Sequence, residues 1–406
     1  MLRRFRELSG PLATRDFRLA WFAQLASELG DWAARLALAV VVLERTDSAL
    51  LSGLVTTLSV LPWVGIGQVL ATLGDRFPRR TVLIVADLVR AAVFAVMVVP
   101  LPVPVLLILT FVAGLATPPF QAARSALLPE ILPEDRYGDG LALAQVTGNT
   151  AVLLGYLSGG GLVAIVGGTS ALLLNAGTFL VSAAALAAMR GGRTPRSASK
   201  VGVQLRAAYE TLRSDVLVFR AAVMVALTSL GAIAAEALVV AYVDAEAGGR
   251  ASVAGVLAAT VPLGTIAGAA LVPRKGDHGR LVKVSAILGL GGSVIAALGF
   301  LARPGMPAAI VPYLATGLVF AVIVPANVVV GARVPSELRA SVFGYLQGSL
   351  MACTAIGAAG GGTVAELIGV GPACALALVP GMLYALLVLV RAPVAVPAEP
   401  APAPSA

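Results

Sequence analysis

Long apolar runs alternate with short polar turns along nearly the whole chain. They fall at about 17–43, 49–72, 80–100, 104–127, 137–165, 168–189, 216–243, 251–272, 280–302, 307–330, 338–367 and 369–391. A helix needs about 20 such residues to cross the ~30 Å hydrocarbon core of a bilayer, and each run is long enough to do so. The pattern predicts an all-α integral membrane protein of twelve helices. Two stretches are nearly continuous, and glycine-rich turn signals divide them: Gly167-Gly168 in one, Gly369-Val370-Gly371-Pro372 in the other. The longest polar interruption, Arg190 to Asp215, falls near the middle of the chain. It predicts a six-helix bundle over 1–189, a linker over 190–215 and a second bundle over 216–391. The Pro/Ala-rich tail over 392–406 is expected to be disordered.

Sliding the chain by about 200 residues brings the two halves into register. Pro62 lies against Pro262, Arg79-Arg80 against Gly279-Arg280, and Gln145 against Gln347. Gly159-Gly160-Gly161 meets Gly360-Gly361-Gly362 within a residue or two, and Pro133-Glu134-Asp135-Arg136 meets Pro335-Ser336-Glu337-Leu338-Arg339. A shared offset, in the same span of each half, points to a pseudo-symmetric pair of six-helix bundles. Parallel repeats of this kind build many secondary transporters.

Composition agrees with a lipid environment. Of 406 residues 58% are hydrophobic and only 12% charged, against about a quarter charged in soluble domains. The net charge of +8 does not point to nucleic acid, because the cations lie between apolar runs rather than along one face. With an even number of spans and both ends inside, Arg45, Arg250 and Arg303 fall on the outer side and Arg35 and Arg90 within spans. The rest of the 29 lysines and arginines fall inside, the bias that fixes orientation. The arginine-rich Met1–Arg18 segment reads as a basic lead-in at the cytoplasmic surface of a bacterial inner membrane, not a cleaved signal.

Enzymatic and metal chemistry find little to work with. Cys353 and Cys374 lie in apolar runs without metal-ligand spacing, His278 is the single histidine, and no phosphate-binding loop occurs. No cofactor and no metal are expected, and work must come from gradients.

Charges inside the spans are the sharpest signal. Gln24, Glu28, Asp31 and Arg35 share one helical face. Each ionised group near the bilayer centre costs about 2.5–3.5 kcal/mol on insertion scales, so the stripe must face protein or water. Asp31 and Arg35 are spaced to pair, which leaves Glu28 without a local partner. A carboxyl away from cations and water takes up a proton readily, and Glu28 or Asp31 is the expected site of proton exchange. The alternative is a structural pair tying span one to a neighbour. Glu236, a lone charge in span seven, is a second cavity candidate; an outer-interface position is its alternative. With Glu28 and Asp31 it makes an acidic cavity suited to cationic or amphipathic substrates, an effect Arg35 opposes. Asp87 and Arg90 read as an ion pair. Asn149, Asn175 and Asn327 read as buried amides that fasten helices, and Trp21, Trp32 and Trp63 as packing or interface residues.

The stretch Leu73-Gly74-Asp75-Arg76-Phe77-Pro78-Arg79-Arg80 resembles the signature loop of the major facilitator superfamily, with Pro78 and Ala71 where glycines are usual. Arg15-Asp16-Phe17-Arg18, Gly30-Asp31-Trp32, Ala86-Asp87-Leu88-Val89-Arg90, Phe120-Gln121-Ala122-Ala123-Arg124, Leu128-Pro129 and Asn175 before Phe179 narrow the match. Together they resemble the exporter branch that contains the enterobactin exporter and macrolide-efflux proteins, closely over Arg3 to Met189 and more loosely afterwards. The resemblance implies the major facilitator fold. It also implies a cytoplasmic gate in which Asp75 meets a helix N-terminus of the other half. Arg76, Arg79 and Arg80 belong to the same loop, and Arg124 and Glu130 are expected to join that network. In span five Gly155-Tyr156-Leu157-Ser158-Gly159-Gly160 lacks the proline of drug–proton antiporters, and in the second half the loop has decayed to Pro273-Arg274-Lys275-Gly276-Asp277-His278-Gly279-Arg280.

The expected function is export of a small molecule (drug, siderophore or secreted metabolite) by proton antiport and alternating access. The alternative is proton-coupled import of a small nutrient or metallophore. The expected partners are the bilayer, the substrate and protons, and a monomer suffices to enclose one pathway.

Overall fold

The computed structural model describes residues 10–64, 67, 70, 77–191, 209–246, 249, 251–273, 277–303 and 305–391. Within the first half lie α1 (Arg15–Thr46), α2 (Ala49–Val60), α3 (Arg79–Val96), α4 (Val103–Leu115), α5 (Thr117–Ile131), α6 (Glu134–Val166) and α7 (Gly168–Ala187). The second half comprises α8 (Val216–Ala237), α9 (Val239–Glu246), α10 (Ala251–Ala270), α11 (His278–Ala302), α12 (Ile310–Phe320), α13 (Ile323–Arg333), α14 (Ser336–Ile368) and α15 (Val370–Val390). The pairs α4–α5, α8–α9 and α12–α13 each follow one another with a short break and count as one pass, so the described helices fall into twelve segments, six in each half. Nine of these segments are both long and apolar enough to span a membrane within the described residues. The linker expected over 190–215 lies partly outside the described residues, and Asp75, Arg76 and the 392–406 tail lie wholly outside them.

Proline and glycine set the boundaries. Pro118 and Pro119 open α5, where the first turn needs no backbone donor, and Pro78, Pro102, Pro133 and Pro335 cap other helices. The two nearly continuous stretches turn on single residues, Gly167 and Gly369, whose φ angles of 79° and 89° favour glycine. Outward-facing Ile165, Leu271, Leu367 and Val390 are highly exposed, as lipid contact requires and water would penalise.

The halves meet along two symmetry-related seams, α6 with α10 and α2 with α14. Small residues let the backbones approach. A Cβ on Gly255 would lie 2.5 Å from the Tyr156 carbonyl oxygen, and one on Gly362 would lie 2.8 Å from Leu50 Cα. Gly160 and Gly362 thus lie at the close approaches between the halves, whereas Gly161 and Gly360 face open space.

The hydrophobic core divides along the membrane normal. At the end where α1, α6, α9 and α14 terminate, one cluster joins both halves: Leu36, Val40 and Leu43 pack with Val239, Val243 and Leu257. Ser48 donates to Glu366 across the same seam. At the opposite end each half keeps its own core, Phe17, Leu83 and Leu127 in one and Met224, Val282 and Val329 in the other. The halves are thus sealed together at one end and parted at the end where Gly10 and Arg391 lie.

Candidate functional site

Between the halves lies a cavity of about 900 Å³. α1 lines it with Glu28, Asp31, Trp32 and Arg35, α6 with Gln145 and Tyr156, α8 with Glu236, and α14 with Gln347 and Met351. Trp63, Arg90 and Gln121 complete the polar and aromatic wall.

The stripe on α1 faces this cavity, but its pairing differs from the expectation. Asp31 does not pair with Arg35. It contacts Arg90 of α3 at 3.2 Å, and Arg90 also binds Asp87 at 2.6 Å. Asp87 is fully buried and accepts a 2.6 Å hydrogen bond from Ser182 of α7. The Arg90 guanidinium lies 4.5 Å from the ring centres of both Phe120 and Phe179. The physical reason is geometric: one planar fork can serve two carboxylates while its faces stack on aromatic rings. Asp87 and Arg90 are an ion pair as the sequence predicts, and Asp31 is its third member.

Glu28 is not left without a partner. Arg124 of α5 contacts it at 2.6 Å, and Gln24 bridges Glu28 Oε1 and the Ala144 carbonyl oxygen, each at 3.1 Å. Arg124 therefore sits beside the cavity, not in the cluster around Glu130 where it was expected. Glu28→Gln should weaken this α1–α5 contact by about 1–2 kcal/mol. Melting of E28Q, R124M and the double variant checks this: the double variant should lose less than the two single losses combined.

Arg35 contacts no carboxylate among the described residues; its guanidinium lies over the Trp32 ring at 4.4 Å. Trp32 in turn meets Tyr156 edge-on at 5.2 Å. The Tyr156 hydroxyl donates to Glu236 at 2.5 Å, a hydrogen bond that crosses from one half to the other. Glu236 faces the cavity rather than the outer interface.

At the parted end Arg79 binds Glu130 and the Ala126 carbonyl oxygen, and Arg80 binds the carbonyl oxygens of Leu186 and Ala187. Arg15 reaches Ala188, so cations gather on the carbonyl end of α7, where the helix dipole favours them. These contacts stay within the first half. The second half has a comparable tie, Arg333 to Asp215 at 2.6 Å, with Asp215 also capping α8.

Of the three asparagines only Asn175 is buried; Asn149 and Asn327 are exposed. Sequence reasoning also passed over Tyr156, Gln121, Gln145 and Gln347 as cavity residues. Gln145 and Gln347 match across the internal repeat, and that match held the signal. Trp32 and Trp63 prove to line the cavity, while Trp21 donates to Thr147 at 2.6 Å.

Residues 8–405 match the family described as transmembrane secretion effectors. The chain belongs to this family of major facilitator transporters. It is therefore a secondary transporter of small molecules and not an enzyme. A relative in Bacillus subtilis, the MFS-type transporter YfiS, is 26% identical over 363 residues, covering 86% of each chain. The multidrug efflux pump Tap of Mycobacterium tuberculosis is 32% identical over 200 residues, 45% of this chain and 46% of Tap. Macrolide efflux protein A of Streptococcus pyogenes is 28% identical over 125 residues, 30% of this chain and 31% of that protein. Among solved structures, a POT family transporter superposes with a TM-score of 0.73 at 10% identity, covering 93% of this chain and 96% of that one. An inward-facing bacterial homologue of Spinster gives 0.69 at 14%, covering 93% and 95%. Both confirm the major facilitator fold.

Proposed function

We propose that this family member is a proton-driven exporter of small amphipathic molecules in the bacterial cell membrane, with both termini cytoplasmic. The observation that carries the proposal is Glu236. It is a cavity carboxyl with no cation in contact among the described residues, hydrogen-bonded across the halves to Tyr156. A carboxyl so placed can release its proton to one side of the membrane and regain it from the other. Its link to Tyr156 makes its charge felt by both halves. Asp31, which shares one arginine with Asp87, is the second exchange site. Glu28, held by Arg124 and Gln24, mainly positions α1. With the termini inside, the parted end is the cytoplasmic entrance. Arg79 and Arg80 anchor the end of the gate loop to the first half. The names of Tap and of macrolide efflux protein A support export. One charge moved through about 100 mV supplies roughly 2.3 kcal/mol, enough for about a fiftyfold gradient. A monomer encloses the whole pathway.

The test uses purified protein in liposomes containing a pH dye, with imposed gradients of lipophilic cations, macrolides and siderophores. Wild type should move protons against the substrate flow. E236Q should lose that movement while still exchanging labelled for unlabelled substrate; D31N should lose part of it. Protons moving with the substrate would instead make the protein an importer.

A further inference from the structure

Three arginines stand on or beside the cavity, and they are not equivalent. Arg90 is held by Asp31 and Asp87, and Arg124 by Glu28. Arg35 alone contacts no carboxylate among the described residues. It is half-buried, so burial has removed part of its hydration without supplying a counter-ion. A guanidinium in that condition is an unsatisfied anion receptor, since its planar fork matches a carboxylate bidentately.

The surroundings specify more than charge. Trp32 lies under the guanidinium and Tyr156 stands edge-on to Trp32, a wall suited to an aromatic or flat apolar body. Asp31 and Glu236 lie within electrostatic range of Arg35 but do not touch it. Asp31 is occupied by Arg90. Glu236 binds Tyr156 through one oxygen, Oε1, which leaves its other oxygen for a donor on the substrate. The carboxylates that seemed to make this cavity acidic are thus largely neutralised by their own arginines. Among the described residues lining the cavity, Arg35 and Glu236 face the ligand with no opposite charge in contact, and they stand on opposite halves.

We infer that Arg35 is the docking point for an acidic group of the substrate. The substrate class is amphoteric aromatic acids, carboxylate on Arg35 and amine toward Glu236. This assignment presupposes that the cavity is the transport site, and it concerns binding alone, so it stands or falls without reference to direction or coupling.

The experiment is equilibrium dialysis of the detergent-purified full chain against norfloxacin and against norfloxacin methyl ester. The two share ring system and amine and differ in the carboxylate. Wild type should bind the acid about tenfold more tightly than the ester. R35Q should bring the acid down to the level of the ester and leave the ester unchanged, and R35K should fall between. Equal binding of the two probes by wild type, binding of neither, or a parallel loss of both in R35Q would overturn the assignment. The wild-type comparison alone decides the matter if R35Q does not fold. Loss of coupled export in liposomes with the acid–ester difference intact would remove the exporter reading and leave this one standing.

Discussion

Arg90→Ala is expected to leave little folded protein after extraction into detergent. The substitution strips the cation from two carboxylates, one of them fully buried, and opens a hole between Phe120 and Phe179. Removing one partner of a buried ion pair costs about 3–5 kcal/mol, because the remaining charge has neither water nor a counter-ion. Here two carboxylates lose the same partner, while Asp87 keeps only Ser182 among the described residues. R90K should recover part of the loss, since an ammonium restores the charge but cannot serve both carboxylates and both ring faces. Adding Asp87→Asn to R90A should also recover part, by removing one stranded charge. The measurement is the fraction of monodisperse protein after heating, followed by fluorescence-detected size exclusion. If R90A melts like wild type, the network is not what holds α1, α3 and α7 together.

The fold was legible because a bilayer leaves few options. Every backbone polar group must be satisfied within its own segment, so long apolar runs can only be helices. The nearly continuous stretches were divisible because Gly167 and Gly369 are the residues able to take a left-handed turn there. The site was half legible. Cost alone placed the α1 stripe in a protein-lined space, and the cavity does lie there. Partners were not legible, because local spacing competes with contacts far along the chain. Asp31 and Arg35 have ideal spacing, yet Arg90, distant in sequence, takes Asp31, and Arg35 lies over Trp32 instead. Glu28 met Arg124 for the same reason. Helix faces are visible in a sequence; which helix stands opposite is set by packing. The repeat offered the missing information only in part, by placing Gln145 and Gln347 at equivalent positions that turn out to be cavity positions.

Gly255→Val is expected to change which end of the transporter is open. In the sealed state the α10 backbone rests against Tyr156 and Gly160 of α6, with no room for a Cβ that would lie 2.5 Å from a carbonyl oxygen and 2.9 Å from Gly160 Cα. Neither contact is the far end of a flexible side chain, so one helix must move. Overpacking of this kind costs about 1–3 kcal/mol, and the sealed state carries that cost because the seam is closed there. The seam parts when the opposite end closes, so the strain is relieved in that state and its population rises by about 5–150-fold. Val243, buried in the joint cluster at the sealed end, reports the change. With Cys353 and Cys374 replaced, a V243C reporter should react slowly with a membrane-impermeant maleimide in the parent and at least several times faster in G255V. Gly255→Ala should give a smaller increase of the same sign. Unchanged labelling in G255V, with protein folded by size exclusion, would mean that α6 and α10 yield locally and that the seam does not set the equilibrium between the two states. Gly362, which packs as tightly against Leu50 on the symmetry-related α2–α14 seam, should behave alike, since rocking about a shared axis must open both seams together.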